Sequence, residues 1–112
     1  MMTDDTEARQ RIAGLSGSAR RLLDYVAVLD GGGRYAVLRH IARATEEDMV
    51  VDLQEVVGAG VLATVEGEPN VYDFADEAVR ALVLAEIGDV RLPKLRARAE
   101  GARRRVEGQS AT

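Results

Sequence analysis

The apolar residues of this chain recur at helical spacing in short groups, and glycines punctuate the groups. In residues 19–29, Leu22, Leu23, Val26 and Leu29 repeat every three or four positions, which marks one buried face of a helix. Ser16 or Ser18 supplies the oxygen that caps its first turn, and Gly31, Gly32 and Gly33 end it and act as a connector. A shorter helix over residues 34–42 gathers Val37, Leu38 and Ile41 on one side. The third helix has the clearest start, because Thr45 with Asp48 three positions later is a variant capping box with Asp in place of Glu. Met49, Val50, Leu53, Val56 and Val57 then form one buried stripe that stops at Gly58 or Gly60.

Residues 61–65 and 71–74 read as two short strands around Glu66-Gly67-Glu68-Pro69-Asn70, a turn whose Gly, Pro and Asn supply the special backbone angles. A fourth helix over 75–87 turns Val79, Leu82 and Val83 inward and ends at Gly88. The last helix, 91–107, tolerates Pro93 because the first N–H groups of a helix have no intrahelical partner. Its Leu92, Leu95, Ala99, Ala102 and Val106 are spaced three, four, three, four, an a/d seam. With only two heptads, two alanines and an interior Gly101, the seam is too weak for an independent coiled coil and needs a surface to dock on. This order predicts a mainly α fold with a small β-hairpin: a winged helix, the helix-turn-helix variant with a β wing, plus a C-terminal helix. The expected organisation is a flexible segment 1–14, a winged-helix domain 15–90, a basic amphipathic helix 91–107 and a disordered tail 108–112.

A length of 112 residues fits one domain with a modest core. Aromatic residues make up 4 % and Trp is absent, so the core is built from Leu, Val, Ile and Ala, which disfavours an all-β sandwich. Without Cys there is no disulfide framework, thiol nucleophile or zinc-thiolate site. No apolar run approaches the roughly 20 residues that cross a bilayer, and the acidic start has the wrong sign for a secretory signal. A soluble cytoplasmic protein without membrane association is expected. Lys94 is the only Lys among 15 basic residues, which with the Ala, Val and Gly usage points to a GC-rich bacterial genome.

The net charge of -4 hides three blocks. Residues 8–43 hold seven Arg against two Asp, residues 44–90 hold one Arg against twelve acids, and residues 91–105 hold six Arg and Lys94 against Glu100. A DNA-reading winged helix needs basic side chains near phosphates and donors on its third helix. Here that helix carries Glu46, Glu47, Asp48, Asp52 and Glu55, and the wing adds Glu66 and Glu68, all without Lys or Arg. DNA reading through the third helix is therefore disfavoured. Arg96, Arg103, Arg104 and Arg105 on the last helix remain candidate contacts to nucleic acid without sequence preference.

Three stretches carry a resemblance. Residues 19–29 (ARRLLDYVAVL), 53–62 (LQEVVGAGVL) and 72–80 (YDFADEAVR) resemble the winged-helix domain of STAND-type regulatory ATPases, among them the large LuxR-type and MalT-like transcription regulators. The likeness spans about residues 15–107 and rests on loose apolar patterns. It implies a winged helix that lies behind a nucleotide-binding domain and couples nucleotide state to assembly. Asp76 stands where that family typically has a phosphate-sensing His, and a carboxylate there repels phosphate. Its alternative reading, with Glu77, is to complement the positive start of a helix. No Gly-x-x-x-x-Gly-Lys-Ser/Thr occurs, so ATP hydrolysis by this chain alone is not expected. His40 is the only His and cannot assemble a familiar zinc site, and the adjacent acids Glu46-Glu47 and Asp76-Glu77 diverge from one another. No catalytic residue, metal or cofactor is expected. The reading is a noncatalytic regulatory module that engages a protein partner, or a second copy, through Leu92, Leu95, Ala99, Ala102 and Val106. The alternative is a DNA-binding regulator that uses the basic N- and C-terminal blocks.

Overall fold

The computed structural model describes residues 5–110 and orders them as α1 (Asp5–Ala13), α2 (Gly17–Ala27), β1 (Gly33–Arg34), α3 (Tyr35–Ala42), α4 (Glu46–Gly58), β2 (Leu62–Val65), β3 (Glu68–Phe74) and α5 (Glu77–Ser110). The fold is mainly helical, with one small three-stranded antiparallel sheet and a long C-terminal helix. Helix starts follow the oxygens available in the sequence. The Ser16 hydroxyl accepts from the Ala19 N–H at the start of α2, and the Thr45 hydroxyl accepts from the Asp48 N–H at the start of α4. Each satisfies a donor that the first turn leaves without a backbone partner.

The core is aliphatic. Leu22, Leu23 and Val26 of α2 pack with Leu38 and Ile41 of α3, Met49 and Val56 of α4, Val61, Leu62, and Val79 and Val83 of α5. Full burial of such side chains contributes about 1.5–3 kcal/mol each. The expected stripe of α4 splits, however. Met49, Leu53 and Val56 enter the core, while Val50 and Val57 are each 40 % exposed. A stripe five residues wide covers more of the helix circumference than the single contact face α4 finds here.

The sheet has one strand more than the expected hairpin. β3 lies between β2 and β1, with Gly33 opposite Tyr72 and Arg34 opposite Val71. The glycine connector is therefore part of the sheet. Gly32, at φ 96°, brings its backbone so close to β3 that a Cβ would stand 2.9 Å from the Tyr72 carbonyl oxygen. The hairpin turn is also tighter than expected, since β3 already begins at Glu68, and the register shifts between Thr64 and Val65.

The expected fourth and last helices meet without a loop. Gly88 adopts φ 79° and ψ 166°, a conformation essentially reserved for glycine, and breaks α5 into segments 77–87 and 89–110. The second segment starts before the expected residue 91, so Pro93 is its fifth residue, just past the four N–H groups that a helix start leaves without an intrahelical partner, and not in its first turn. An ion-pair network spans the break. Arg20 of α2 holds Asp24 at 2.7 Å and Glu86 at 2.9 Å, and Arg91 reaches Asp24 from beyond Gly88 at 3.5 Å. Burial alone lowers the pKa of the Arg20 guanidinium, but hydrogen bonds and Coulomb attraction from Asp24 and Glu86 outweigh it, and the net shift is upward.

Both ends depart from expectation. Residues 5–13, expected to be flexible, form α1, whose Ala8 and Ile12 are buried and which packs on α5. A single large apolar residue is a weak periodic signal, and only a neighbouring helix gives it a place to dock. At the other end α5 continues to Ser110 through the expected disordered tail. The expectations for residues 1–4 and 111–112 fall outside the described residues.

Candidate functional site

The seam predicted as a partner face is a core face of this same chain. Leu95, Ala99, Ala102 and Val106 are all buried, Leu92 is half-buried, and α5 packs against α1, α2 and α3. The Arg98 guanidinium donates to the Ile41 carbonyl at 2.7 Å and lies 6.0 Å from the centroid of the Tyr25 ring, which ties the second segment of α5 to α3 and α2. The seam did need something to dock on, and it docks in cis. Partner recognition through Leu92, Leu95, Ala99, Ala102 and Val106 is thereby corrected.

The acidic residues of α4 divide into two sets. Glu55 accepts from the Ser16 N–H at 2.6 Å and from the Ser16 hydroxyl at 2.9 Å, and Asp52 accepts from the Ser18 hydroxyl at 2.8 Å. These two carboxylates sit at the start of α2, where the helix dipole favours negative charge. Glu46, Glu47 and Asp48 occupy the first turn of α4 itself and remain exposed.

Beside that exposed end, α4 and the sheet enclose a groove of about 760 Å³. Val50, Leu53 and Val57 form its helical wall, while Tyr35, Thr64 and Tyr72 supply the opposite side. The Tyr35 hydroxyl is buried and has no hydrogen-bond partner among the described residues. Sequence reasoning missed this groove because it counted Val50 and Val57 as core. Their placement at the margins of an over-wide stripe was the available signal.

Asp76 caps α5, its carboxylate accepting from the Ala78 N–H at 2.9 Å. The arginines expected at nucleic acid also divide. Arg103 pairs with Glu100 at 3.2 Å and with Glu107 at 3.9 Å, and Arg104 pairs with Glu100 at 3.5 Å. Arg96 and Arg105 are exposed without an ion pair among the described residues. Among those residues, no group of three or more His, Cys, Asp or Glu is placed to hold a metal ion. No described helix is long and apolar enough to cross a membrane. Comparison with protein-family models, curated proteins and solved structures finds no match.

Proposed function

We propose that this chain is a noncatalytic winged-helix module that regulates through protein–protein contacts, akin to the corresponding domain of a STAND-type transcription regulator, with the α4–sheet groove as its contact site. The winged-helix reading is supported by the order α2, β1, α3, α4, β2, β3, in which the short first strand closes the sheet beside β3. One observation carries the functional reading: α4, at the recognition position of such a fold, turns Val50 and Val57 outward over an apolar groove and carries no Lys or Arg. Completing the burial of each valine contributes on the order of 1 kcal/mol. The exposed Glu46, Glu47 and Glu68 favour a partner segment with an apolar face flanked by Lys or Arg, and they repel a duplex.

The test is site-specific photocrosslinking in the cell of origin, with a photoreactive residue at Val57 and, as control, at Val90, which is 76 % exposed outside the groove. Val57 is expected to yield one discrete adduct that disappears with Val50→Asp, and Val90 none. Equal adducts at both positions, or none at Val57 in a folded protein, would overturn the assignment.

A further inference from the structure

Six of the fourteen arginines are neutralised by carboxylates among the described residues. Arg11 pairs with Glu7, Arg20 with Asp24 and Glu86, Arg80 with Glu77, Arg91 with Asp24, and Arg103 and Arg104 with Glu100. Of the other eight, four gather in one cleft. Between the C-terminal end of α3 and the second segment of α5, an open cleft of about 600 Å³ is lined by Arg39, His40, Arg43, Arg98 and Arg105, with no carboxylate in its wall.

Two of these side chains are positioned without being neutralised. Arg39 donates to the Ala44 carbonyl at 3.1 Å and Arg98 to the Ile41 carbonyl at 2.7 Å, which fixes each guanidinium but leaves its charge uncompensated. The side chains of His40, Arg43 and Arg105 make no hydrogen bond or ion pair among the described residues. Of the carboxylates in the adjoining depression, Asp52 and Glu55 are engaged by Ser18 and Ser16, and Asp48 belongs to the first turn of α4. Cations at the end of α3 complement its dipole, which accounts for Arg39 and His40. The same argument covers Arg98, which donates to the Ile41 carbonyl in the last turn of α3, but it does not reach Arg105, which the fold brings from a distant helix against the repulsion of the other cations. Gly101, unfavourable inside a helix, lies in the same wall, and a Cβ there would meet no atom within 4 Å. The cleft is open as well as positive.

We infer that this cleft binds the phosphate backbone of duplex nucleic acid without reading its bases. Guanidinium forks match phosphate oxygens, and several converging forks suit a ligand that offers phosphates in series. All five basic side chains are exposed, whereas a small-molecule site encloses most of its ligand. No Phe, Tyr or Trp lines the cleft on which a single-stranded base could stack; the nearby Tyr25 lines the adjoining depression instead. The site shares no residue with the α4–sheet groove, so the two assignments stand or fall separately.

The experiment is fluorescence anisotropy of the full chain with duplex DNA of about 30 base pairs, of two unrelated sequences, between about 50 and 200 mM salt. Binding is expected to be equal for the two sequences, with a log–log salt slope of about -3 to -4.5 for three to five phosphate contacts. Arg43→Ala with Arg105→Ala is expected to weaken binding at least about tenfold and to reduce the slope by about 1.8. Arg103→Ala with Arg104→Ala removes the same net charge from arginines already paired with Glu100, and is expected to change affinity less than about threefold. Circular dichroism and melting confirm that both variants fold. No binding at the lowest salt, or equal loss in both double variants, overturns the inference. Tighter binding of inorganic tripolyphosphate than of duplex also overturns it, and makes the cleft a small-anion site.

Discussion

Two adjacent glycines with the same identity in the sequence do different things in the fold. Gly31 and Gly32 both have positive φ, but a Cβ on Gly31 meets nothing within 4 Å, whereas one on Gly32 collides with the backbone of β3. Gly31→Ala should therefore cost about 1 kcal/mol, the left-handed backbone strain alone, and Gly32→Ala about 2–3 kcal/mol, strain plus displacement of β1. Urea denaturation of the two variants separates them, and equal losses would mean that β1 does not hold this register. Arg20 gives a second residue-level expectation. Its pKa is raised on folding, so its contribution is fully present below the ordinary arginine value and is lost only as pH rises through the still higher folded value. Arg20→Ala should cost about 1–2 kcal/mol, allowing for the partial exposure of Arg20 and Glu86 and for Arg91, which still reaches the buried Asp24. The part of that loss due to Arg20's own titration should be flat across the neutral range, which urea titrations at several pH values would check.

At the scale of elements, the seam of α5 is the main revision. Its three-four-three-four spacing correctly marks a face that must be covered, but spacing carries no information about what covers it. Leu95 is 9 % exposed and Leu92 only half-buried, so Leu95→Ala should cost about 2–3 kcal/mol in global stability and Leu92→Ala about 1 kcal/mol. A Leu95 variant that retained full stability but lost association would restore the seam as a partner face. The α4 stripe is the mirror case. Periodicity placed five residues on one side, and packing took three of them. The valines left out, with Tyr35 and Tyr72 from segments on either side of α4 in the chain, make the groove.

At the scale of the whole molecule, the charge blocks are redistributed by folding. The acidic middle of the chain gives two carboxylates to the start of α2, and the basic C-terminal helix gives Arg103 and Arg104 to neighbouring acids. Four of the arginines left without a carboxylate partner gather in the cleft between α3 and α5. A variant with Val50→Asp and Val57→Asp should melt within a few degrees of the parent, because neither valine is core. It should lose the groove contact and keep duplex binding, whereas the variant lacking Arg43 and Arg105 should do the reverse. A melting curve with crosslinking and anisotropy on the same two proteins tests that independence.

The sequence by itself determined the helices of residues 17–58, the hairpin and the glycine break, because caps, aliphatic period and glycine conformations are properties of a few neighbouring residues. It also located an uncovered seam and an acidic α4. Only the tertiary structure decided that the seam is covered in cis, that residues 5–13 form a docked helix and that residues 33–34 add a strand. It likewise decided that Arg39 and Arg43 meet Arg98 and Arg105. Each of these depends on which surfaces come together across tens of residues, and no local spacing encodes that choice.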